Sequence, residues 1–442
     1  GTRMRSALPK ILHPLAHKPL VQHVLDTAKS LLPDKLCLVY GHGGEEVKAA
    51  IHEPTLEWVE QAERLGTGHA VAQAMPMVPD EHMVLVMYGD VPLIQPDTLR
   101  NLLDAAGEDI GLLTMEPDSP SGYGRIVRDA KGKVLGIVEE KDADEDIKPI
   151  REVNTGILCV PAGLLRDWLS RLKNDNAQGE YYLTDIIGLA AAEGKTVHTA
   201  SADDIHEVLG VNDRVQLATL ERHYQSLQAE TLMRAGITLR DPARLDVRGE
   251  IETGQDVVID VNVVLEGKVK LGHRVTIESN VIIRDADIGD DVEIRANSVI
   301  DNAVVGKQCI IGPFARLRPE SNIGEDVHIG NFVEIKKSNL GDNVKINHLA
   351  YAGDTDIGRD SNIGAGVITC NYDGVSKHKT IIGEGAFIGS NVALVAPVEV
   401  GDNATIGAGS TISKNAPADA LSLTRAPQKS LKGWRRRFTG KE

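Results

Sequence analysis

The sequence predicts an α/β domain, then a long helix, then a parallel β-solenoid built from six-residue repeats. Three observations predict this class. The chain has 442 residues, more than one hydrophobic core usually serves. Only 3% of the residues are aromatic, so aliphatic side chains must fill much of the core. From about residue 257 onward, aliphatic residues recur every six positions, a period that belongs neither to a helix nor to a simple strand.

Residues 1–211 alternate apolar runs with helical patterns. Lys35–Tyr40 and Met83–Met87 are typical of buried strands, and Leu20–Leu32 and Pro96–Ala105 are typical of amphipathic helices. This alternation predicts an α/β domain with a largely parallel sheet. Ligands in such sheets bind beyond the carboxyl ends of the strands.

Two segments of this domain are candidates for binding phosphates and a metal. Tyr88-Gly89-Asp90 ends a strand, where a carboxylate can hold Mg²⁺, although an Asp there is as often a turn residue. Gly1-Thr2-Arg3-Met4, with Lys10 following, is typical of the end of a Gly-rich loop. Its backbone N–H groups and two cations would suit a triphosphate.

The segment Asn212–Gly236 predicts one long helix that separates the two domains. Beyond it, three six-residue strands would close a triangular coil of about 18 residues, and about eight coils fit between Leu271 and Ile412. Chance alternation in an antiparallel β protein is the alternative, and it is disfavoured because more than twenty positions hold the phase. The predicted inward residues are Ile259, Leu265, Leu271, Ile277, Ile283, Ile288, Ile294, Ile300, Val305, Ile311, Leu317, Ile323, Ile329, Ile335, Leu340, Ile346, Ile357, Ile363, Ile382, Ile388, Leu394, Val400, Ile406 and Ile412.

The period of one coil predicts which side chains lie on neighbouring coils. Arg318 and Lys336 are one full period apart and each follows an inward residue, so we expect them in one column, about 4.8 Å apart. A bound phosphate would relieve their repulsion; the alternative is a solvated surface pair neutralised by Glu334. By the same reasoning, two further columns are Asn331, His348, Ala365 and Arg316, Glu334, Tyr351.

A carboxylate one coil from His348 could orient its ring and raise its basicity. The repeat then breaks once, at Thr369–Gly374, and an insertion in a regular solenoid is often functional. Cys370, inside the insertion, is disfavoured as an acyl-carrying nucleophile because no second base is evident for it.

Composition excludes some partners. A net charge of −16 argues against nucleic acid or an anionic membrane as the main partner. The four cysteines show no paired spacing, which favours a reduced, cytoplasmic location and disfavours zinc. No secretory h-region is evident, and no apolar run is long enough to cross a bilayer, so we expect no membrane span.

Taken together, the motifs resemble the bacterial bifunctional family that joins an N-acetylglucosamine-1-phosphate uridyltransferase to a glucosamine-1-phosphate N-acetyltransferase. The resemblance covers essentially the whole chain. It rests on the loop segments Gly1–Met4, Gly66–His69, Tyr88–Asp90, Gly122–Arg125, Asn154–Gly156, Gly179–Asp185, Ile311–Pro319, Asn331–Lys337 and Thr369–Gly374.

The resemblance implies the fold and its divisions. A Rossmann-like nucleotidyltransferase domain would occupy 1–211, a linker helix 212–236, a left-handed parallel β-helix 237–425, and a C-terminal arm 426–442. Lys432, Arg435, Arg436, Arg437 and Lys441 give the arm its basic character, and in this family it reaches a neighbouring subunit of a homotrimer. The family's first strand and the Leu-x-x-Gly-x start of its nucleotide loop would precede Gly1. We therefore expect residues upstream, since uridyl transfer would be severely reduced without them.

For the first domain, the resemblance implies transfer of UMP from UTP to N-acetylglucosamine-1-phosphate, with release of pyrophosphate. Asp90 and Asn212 would hold Mg²⁺. The implied substrate-binding residues are Arg3, Lys10, Gln61, Gly66, Thr67, Tyr88, Gly89, Asp90, Gly124, Glu139, Asn154 and Asn212.

For the second domain, the resemblance implies acetylation of glucosamine-1-phosphate by acetyl-CoA, with His348 as general base and Glu334 supporting it. The UDP-N-acetylglucosamine made by the two reactions together would feed peptidoglycan and lipopolysaccharide synthesis. The implied sugar-phosphate residues are Arg318, Lys336, Tyr351, Asn362 and Asn371. The implied acetyl-CoA residues are Ala365, Asn371, Tyr372, Ser390, Ala408 and Arg425.

Two other functions remain possible from the sequence alone. One is a sugar nucleotidyltransferase whose β-helix is purely structural, against which the group of His348, Arg318 and Lys336 argues. The other is a trimerisation protein with two inactive sites, against which the pair Asp90 and Asn212 argues.

Overall fold

The computed structural model describes residues 3–41 and 43–435. The chain forms two compact units, Gly1–Tyr224 and Gln225–Glu442. Across the described residues, no helix has the length and apolar character needed to cross a membrane. Within the same ranges all four cysteines are free thiols.

The first unit mixes helices with short strands. Its strands are β1 (Pro14–Leu15), β2 (Lys18–Pro19), β3 (Leu36–Tyr40), β4 (Leu56–Glu60), β5 (Met83–Val86), β6 (Ile110–Met115), β7 (Arg125–Arg128), β8 (Val134–Val138), β9 (Val153–Pro161) and β10 (Val197–Ser201). Its α-helices are α1 (Leu20–Ser30), α2 (Gly44–Ala50), α3 (Thr67–Ala74), α4 (Pro96–Ala106), α5 (Ala162–Arg171) and α6 (Asp185–Ala192). Three 3₁₀ turns cover Lys10–Leu12, Met75–Met77 and Ile205–Val208.

The main sheet of this unit is mixed, so the prediction of a largely parallel sheet is wrong. β10 pairs with β6 in parallel, as β3 does with β4, but β9 runs antiparallel to β5, β6 and β7, and β7 and β8 form an antiparallel pair. The apolar runs did predict the strands themselves. Pairing direction depends on β9, a long strand whose partners β5 and β6 lie far away in sequence.

Helix α7 (Arg214–Arg234) follows, two residues shorter at each end than the predicted Asn212–Gly236. In the second unit, the buried Gln225 side chain accepts from the Val247 N–H at 2.7 Å and donates to its carbonyl oxygen at 2.8 Å. Leu232, further along the helix, packs against the core of the same unit. The second half of α7 is thus fastened to the first turns of the solenoid.

The second unit is a stack of short parallel strands with a 3₁₀ turn at Pro242–Arg244. One face of the prism is an 11-stranded parallel sheet, and a 16-stranded sheet supplies the other two. The strands are β11 (Thr238–Leu239), β12 (Leu245–Thr253), β13 (Val258–Ile259), β14 (Val263–Leu271), β15 (Thr276–Ile277), β16 (Ile282–Ile288), β17 (Glu293–Ile294), β18 (Val299–Asp301), β19 (Ala303–Val305), β20 (Ile310–Ile311), β21 (Arg316–Leu317), β22 (Ser321–Ile323), β23 (His328–Asn331), β24 (Glu334–Lys336), β25 (Asn339–Leu340), β26 (Lys345–His348), β27 (Tyr351–Gly353), β28 (Thr355–Ile357), β29 (Asn362–Ile363), β30 (Ile368–Cys370), β31 (Thr380–Ile382), β32 (Phe387–Ile388), β33 (Ala393–Val395), β34 (Val398–Val400), β35 (Thr405–Ile406), β36 (Thr411–Ile412) and β37 (Leu421–Ser422).

The six-residue repeat places its aliphatic residues as predicted. Every inward position named above is buried and belongs to one continuous apolar cluster along the prism. At the corners, residues such as Asn280, Asn297 and Asn343 adopt positive φ, which lets a two-residue strand turn onto the next face. This unit is the left-handed parallel β-helix of hexapeptide repeats.

The one break in the repeat is an insertion between β30 and β31. Ile346 pairs with Ile363 across one ordinary coil, but Ile363 pairs with Ile388 across a distinctly longer one. The extra residues form a loop closed by a bridge between Tyr372 and Lys377. The loop therefore belongs to the coil that begins with β29, the register partner of the His348 strand β26.

Candidate active sites

The first unit contains a cavity of about 330 Å³ that brings together residues far apart in sequence. Arg3, Tyr88, Asp90 and Asn212 all line it. The Lys10 ammonium contacts the Asp90 carboxylate and donates to the Asn212 side-chain oxygen at 3.2 Å. The two predicted metal ligands therefore converge on one cation, here a lysine.

A second group surrounds the start of α3. The Gln61 amide donates to the Gly66 carbonyl oxygen at 3.0 Å, and the Thr67 hydroxyl accepts from the Leu183 N–H at 3.1 Å. Gly66 has φ of +112°, and a Cβ there would lie 2.6 Å from the Tyr181 carbonyl oxygen, so only glycine fits this turn. Thr67 also hydrogen-bonds Tyr88, which joins this group to the cavity.

Tyr88 is the most perturbed phenol of the unit. Burial, together with the Glu139 and Asp90 carboxylates, raises the pKa of Tyr88 to about 12. Its ring lies against Gly156, where a Cβ would come within 2.5 Å of a ring carbon. The hydroxyl is therefore a proton donor throughout the physiological range. Gly89 packs near Val21 and Ile11 and contributes backbone only.

The three residues predicted to bind the sugar also meet. The Asn154 N–H donates to the Gly124 carbonyl oxygen at 2.8 Å, and a Cβ on Gly124 would lie 3.4 Å from the Glu139 carboxyl. Glu139 accepts from the Thr184 hydroxyl at 3.0 Å, and burial raises the pKa of its carboxyl. Asp185, next to Thr184, is a neighbour that the sequence reasoning did not single out. Burial, with Glu139 and Asp142 adding to it, raises the pKa of Asp185 to about 6.

In the second unit, the predicted columns have the predicted register. Arg316, Glu334 and Tyr351 are successive partners, and Asn331 is the partner of His348. The Arg318 N–H donates to the Ile335 carbonyl oxygen, so Arg318 and Lys336 do lie on neighbouring coils.

The partner of the His348 ring is Asn331. The Asn331 side-chain oxygen lies 3.1 Å from His348 Nδ1, and since an amide oxygen only accepts, this contact favours the tautomer with its proton on Nδ1. The predicted orienting residue, Glu334, begins a strand on the next face and accepts instead from Arg318 at 2.8 Å. Asn331, rather than Glu334, is thus the residue in contact with the ring. His348 itself is exposed.

Of the predicted pair of cations, Lys336 is more buried than the solvated-pair alternative implies, whereas the Arg318 side chain is 36% exposed. The Lys336 side chain is 17% exposed and its ammonium lies 4.0 Å from the Asp354 carboxylate, which also accepts from Asn371 at 2.5 Å. Asn371 reaches the Tyr351 hydroxyl as well, at 3.5 Å. A residue that the sequence reasoning missed, Lys377, comes from the insertion loop, and the nearby Lys336 ammonium lowers the pKa of Lys377.

Three of the residues predicted to contact acetyl-CoA, Ala365, Ser390 and Ala408, continue the His348 column. The register of β26, β29, β32 and β35 places His348, Ala365, Ser390 and Ala408 on four successive coils. Arg425 donates to the Ala408 carbonyl oxygen at 3.0 Å at the far end of this row. Three small side chains in a row leave a shallow strip roughly 14 Å long, three coil spacings, leading away from the histidine.

The remaining predicted residues lie on the prism face of β29, in the insertion loop, or outside the described residues. Asn362 pairs with Lys345 and Phe387 on the same face. Tyr372 is 61% exposed and its hydroxyl donates to the Gly374 carbonyl oxygen within the insertion loop. Gly1 and Thr2 of the phosphate loop, and residues 436–442 of the basic arm, fall outside the described residues.

Three residues of the first unit form a further cluster that was not predicted from the sequence. Asp204, His206 and His223 place ligand-type atoms within 4.8 Å of one another. None of the three occurs in a motif described above. No sequence spacing would have found them, because His223 comes from α7 whereas the other two lie at the preceding 3₁₀ turn.

Comparison with known proteins agrees with both halves. Residues 1–149 match the family described as the MobA-like NTP transferase domain, residues 247–327 the GMPPB C-terminal domain, and residues 379–414 the bacterial transferase hexapeptide.

Whole-length relatives extend this agreement. The bifunctional protein GlmU of Methylococcus capsulatus is 58% identical over 438 residues, covering 99% of this chain and 95% of that protein. The proteins of the same name from Alkalilimnicola ehrlichii and Azoarcus sp. are 54% and 55% identical, covering 99% of this chain and 94% and 97% of their own lengths. The chain therefore belongs to the bifunctional GlmU family, enzymes that are both nucleotidyltransferases and acetyltransferases.

Proposed function

We propose that the two reactions of this bifunctional enzyme are carried by the two residue groups described above, the cavity group of the first unit and the His348 group of the β-helix. The enzyme acetylates glucosamine-1-phosphate with acetyl-CoA and then transfers UMP from UTP to the product. The observation that carries the assignment is the row from Asn331 through His348 to Ala365, Ser390 and Ala408, with Lys336 and Lys377 on the coils before and after that of His348.

In the acetyl transfer, the cations would bind the phosphate of the sugar. Arg318, Lys336 and Lys377 carry three positive charges against the carboxylates of Glu334 and Asp354. These five groups have a surplus of positive charge that attracts a phosphate, and a bound phosphate would convert the repulsion between Lys336 and Lys377 into attraction. Glu334 serves here by holding the Arg318 guanidinium rather than by orienting the histidine.

His348 would act as the general base. Its Nε2 lone pair removes a proton from the sugar amine, the nitrogen forms a bond to the thioester carbonyl carbon, and the carbon–sulfur bond breaks to release the CoA thiolate. In the described residues the Ala365 N–H has no backbone or side-chain acceptor, although Gly364 and Gly366 on either side of it both donate. That free N–H suits the developing oxyanion. Asn371, Tyr372 and Arg425 would line the path of acetyl-CoA.

In the uridyl transfer, the phosphate of N-acetylglucosamine-1-phosphate would attack the α-phosphorus of UTP in line, and pyrophosphate would leave. Asp90 and Asn212 would hold Mg²⁺, because their oxygens already converge on the Lys10 ammonium, and oxygen ligands are what this ion prefers. The ion supplies neutralisation of phosphate charge when bound. Lys10, released from this pair, and Arg3 would then meet the triphosphate.

Substrate recognition in this unit would divide between the other two groups. Gln61, Gly66 and Thr67 present amide, backbone and hydroxyl groups suited to a uracil edge. Gly124, Glu139 and Asn154 surround the place for the sugar, and the neutral Tyr88 hydroxyl lies between the two groups. Positioning and charge neutralisation supply most of the catalysis in reactions of this type.

The assembly is proposed to be a homotrimer in the cytoplasm. Phe314 and Phe332 stack at 5.2 Å on consecutive coils, and Leu349 continues their row, yet all three side chains are about half or more exposed. An exposed row of apolar side chains of this kind is typical of a surface that binds another protein chain. The row adjoins His348, so a neighbouring copy of the chain would complete the acetyl-transfer site. The location follows from the two co-substrates and from four free thiols.

One experiment separates the two assignments. His348→Ala is expected to lower acetyl transfer at least a hundredfold, the usual scale for a general base, and to leave uridyl transfer unchanged. Asp90→Ala is expected to do the reverse. The measurements are thiol release from acetyl-CoA with glucosamine-1-phosphate, and pyrophosphate release from UTP with N-acetylglucosamine-1-phosphate. Loss of both activities in either variant, or of neither, would contradict the division of labour.

A further inference from the structure

Asp204, His206 and His223 form a compact cluster that contains none of the residues assigned to catalysis. The Asp204 carboxylate lies 2.7 Å from His206 Nδ1 through one oxygen and 3.0 Å from His223 Nε2 through the other. The two imidazole rings stack with their centroids 4.1 Å apart. One carboxylate thus bridges two imidazoles, each by the nitrogen that could equally bind a metal.

We propose that these three residues form a binding site for a divalent transition-metal ion of the zinc type. Two imidazoles and one carboxylate are a donor set that suits Zn²⁺, whereas Mg²⁺ and Ca²⁺ favour sites made of oxygen alone. Zinc–ligand bonds of about 2.0–2.1 Å put neighbouring ligand atoms roughly 3.3 Å apart in a tetrahedral site. The three ligand atoms, already within 4.8 Å of one another, need only small side-chain rotations to reach that spacing.

The surroundings favour metal binding in two ways. The side chains of Asp204 and His206 are 39% and 35% exposed, so an ion can enter and keep a water ligand. Asp204 is also fixed by accepting from the His206 backbone N–H at 2.9 Å.

The rings must move for the ion to bind. They are nearly parallel, at 11° between planes, so their lone pairs do not yet converge on one point. Tilting the His206 ring is a smaller change than tilting the His223 ring, because the His206 side chain is more exposed and lies on a short 3₁₀ turn that ends at Val208. Bound metal would replace the protons that the carboxylate now shares with the two rings.

The position of the cluster gives the ion a structural task. Asp204 and His223 bracket the segment that carries Val208, Gly210, Asn212 and Gln216, which line the cavity of the first unit. The other side of the same turn is anchored by the buried Glu207, which accepts from the Thr98 hydroxyl at 2.5 Å. An ion at the cluster would clamp both ends of this segment and so hold Asn212 in place.

The test measures Zn²⁺ binding to the full chain, stripped with a chelator and then kept in millimolar Mg²⁺ so that oxygen-rich sites are occupied. One Zn²⁺ per chain is expected, with affinity at least tenfold weaker in His223→Gln and in Asp204→Asn. His198→Gln is the matched control, because His198 pairs with Asp109 at 3.4 Å without a second histidine. Co²⁺ in place of Zn²⁺ should give visible ligand-field absorption that His223→Gln removes and His198→Gln keeps.

A thermal readout does not depend on activity. Zn²⁺ at about 100 times its dissociation constant should raise the melting temperature of the first unit by roughly 5–10 °C in the unaltered chain, and hardly at all in His223→Gln. The proposal is overturned if Zn²⁺ binds the unaltered chain no more tightly than it binds His223→Gln and Asp204→Asn. It is also overturned if these variants melt below the unaltered chain by the same amount with and without Zn²⁺. The second result would make the cluster a hydrogen-bonded brace only. Neither result bears on the two transfer reactions.

Discussion

Replacing Asn331 with alanine tests how the catalytic histidine is oriented. The Asn331 side-chain oxygen is the described partner of the His348 ring, at 3.1 Å from Nδ1, and it selects the tautomer that leaves Nε2 basic. Loss of one neutral hydrogen bond costs about 0.5–1.5 kcal/mol. Since each 1.36 kcal/mol is about tenfold in rate, acetyl transfer should fall about 2- to 13-fold, far less than in His348→Ala.

The assay for Asn331→Ala is kcat/KM for acetyl-CoA thiol release driven by glucosamine-1-phosphate, with uridyl transfer measured on the same sample. Asn322→Ala is the matched control, because Asn322 donates to Asn339 at 2.9 Å between coils on another face. That variant should keep full activity. A hundredfold loss in Asn331→Ala would mean that Asn331 acts on the substrate directly. Unchanged kcat/KM would mean that the ring is oriented by something else.

Changes at Lys377, Asp185 and Ile335 test three other parts of the structure. Lys377→Met should raise the KM for glucosamine-1-phosphate about tenfold or more with kcat within about twofold, because a charge-assisted contact to phosphate is lost; a fall in kcat alone would contradict this role. Asp185 has a folded-state pKa of about 6, above its unfolded value of 3.8, so its protonated form stabilises the fold at low pH and this contribution is lost as pH rises through 6. Asp185→Asn should therefore gain stability over the unaltered chain between about pH 4 and pH 6 in urea unfolding and keep that advantage above pH 7, and a difference equal at pH 4 and pH 7 would refute the shifted pKa. Ile335→Ala, at a fully buried inward position, should cost about 2–5 kcal/mol of unfolding free energy, whereas Ile381→Ala, 42% exposed on the same prism, should cost much less; equal losses would mean that inward and outward positions are not distinguished as described.

The β-helix could be predicted from the sequence because each of its strands pairs with a strand that is close by along the chain. Each strand pairs with the strand one coil later along the chain, so a period found in the sequence is also a map of contacts. This is why the inward residues and the pairing of Asn331 with His348 were predicted correctly. Asp354 could have been found too, since it follows Lys336 by one full period of the coil.

The sheet of the first unit was harder to predict because its paired strands are far apart along the chain. The partners β5 and β9 are far apart along the chain, and nothing in the local pattern of Met83–Val86 tells whether its neighbour runs parallel or antiparallel. The strand positions followed from apolar runs, whereas the sheet order and direction depended on tertiary packing. The cavity residues of the first unit were predicted to share a site from the resemblance to a known family and not from periodicity.

The sequence by itself determined the two-part architecture, the coil register and the column of Asn331, His348 and Ala365, because short-range repetition fixes these through local geometry. Only the tertiary structure decided that Lys377 reaches Lys336, that Asn331 rather than Glu334 holds the histidine ring, and that Asp204 meets His223. The Lys377 contact depends on how the insertion loop folds. The other two contacts depend on side-chain rotamers, at a corner of the prism for Asn331 and on helix α7 for His223. A six-residue period constrains the backbone of each coil but not the direction in which an insertion or a rotamer points.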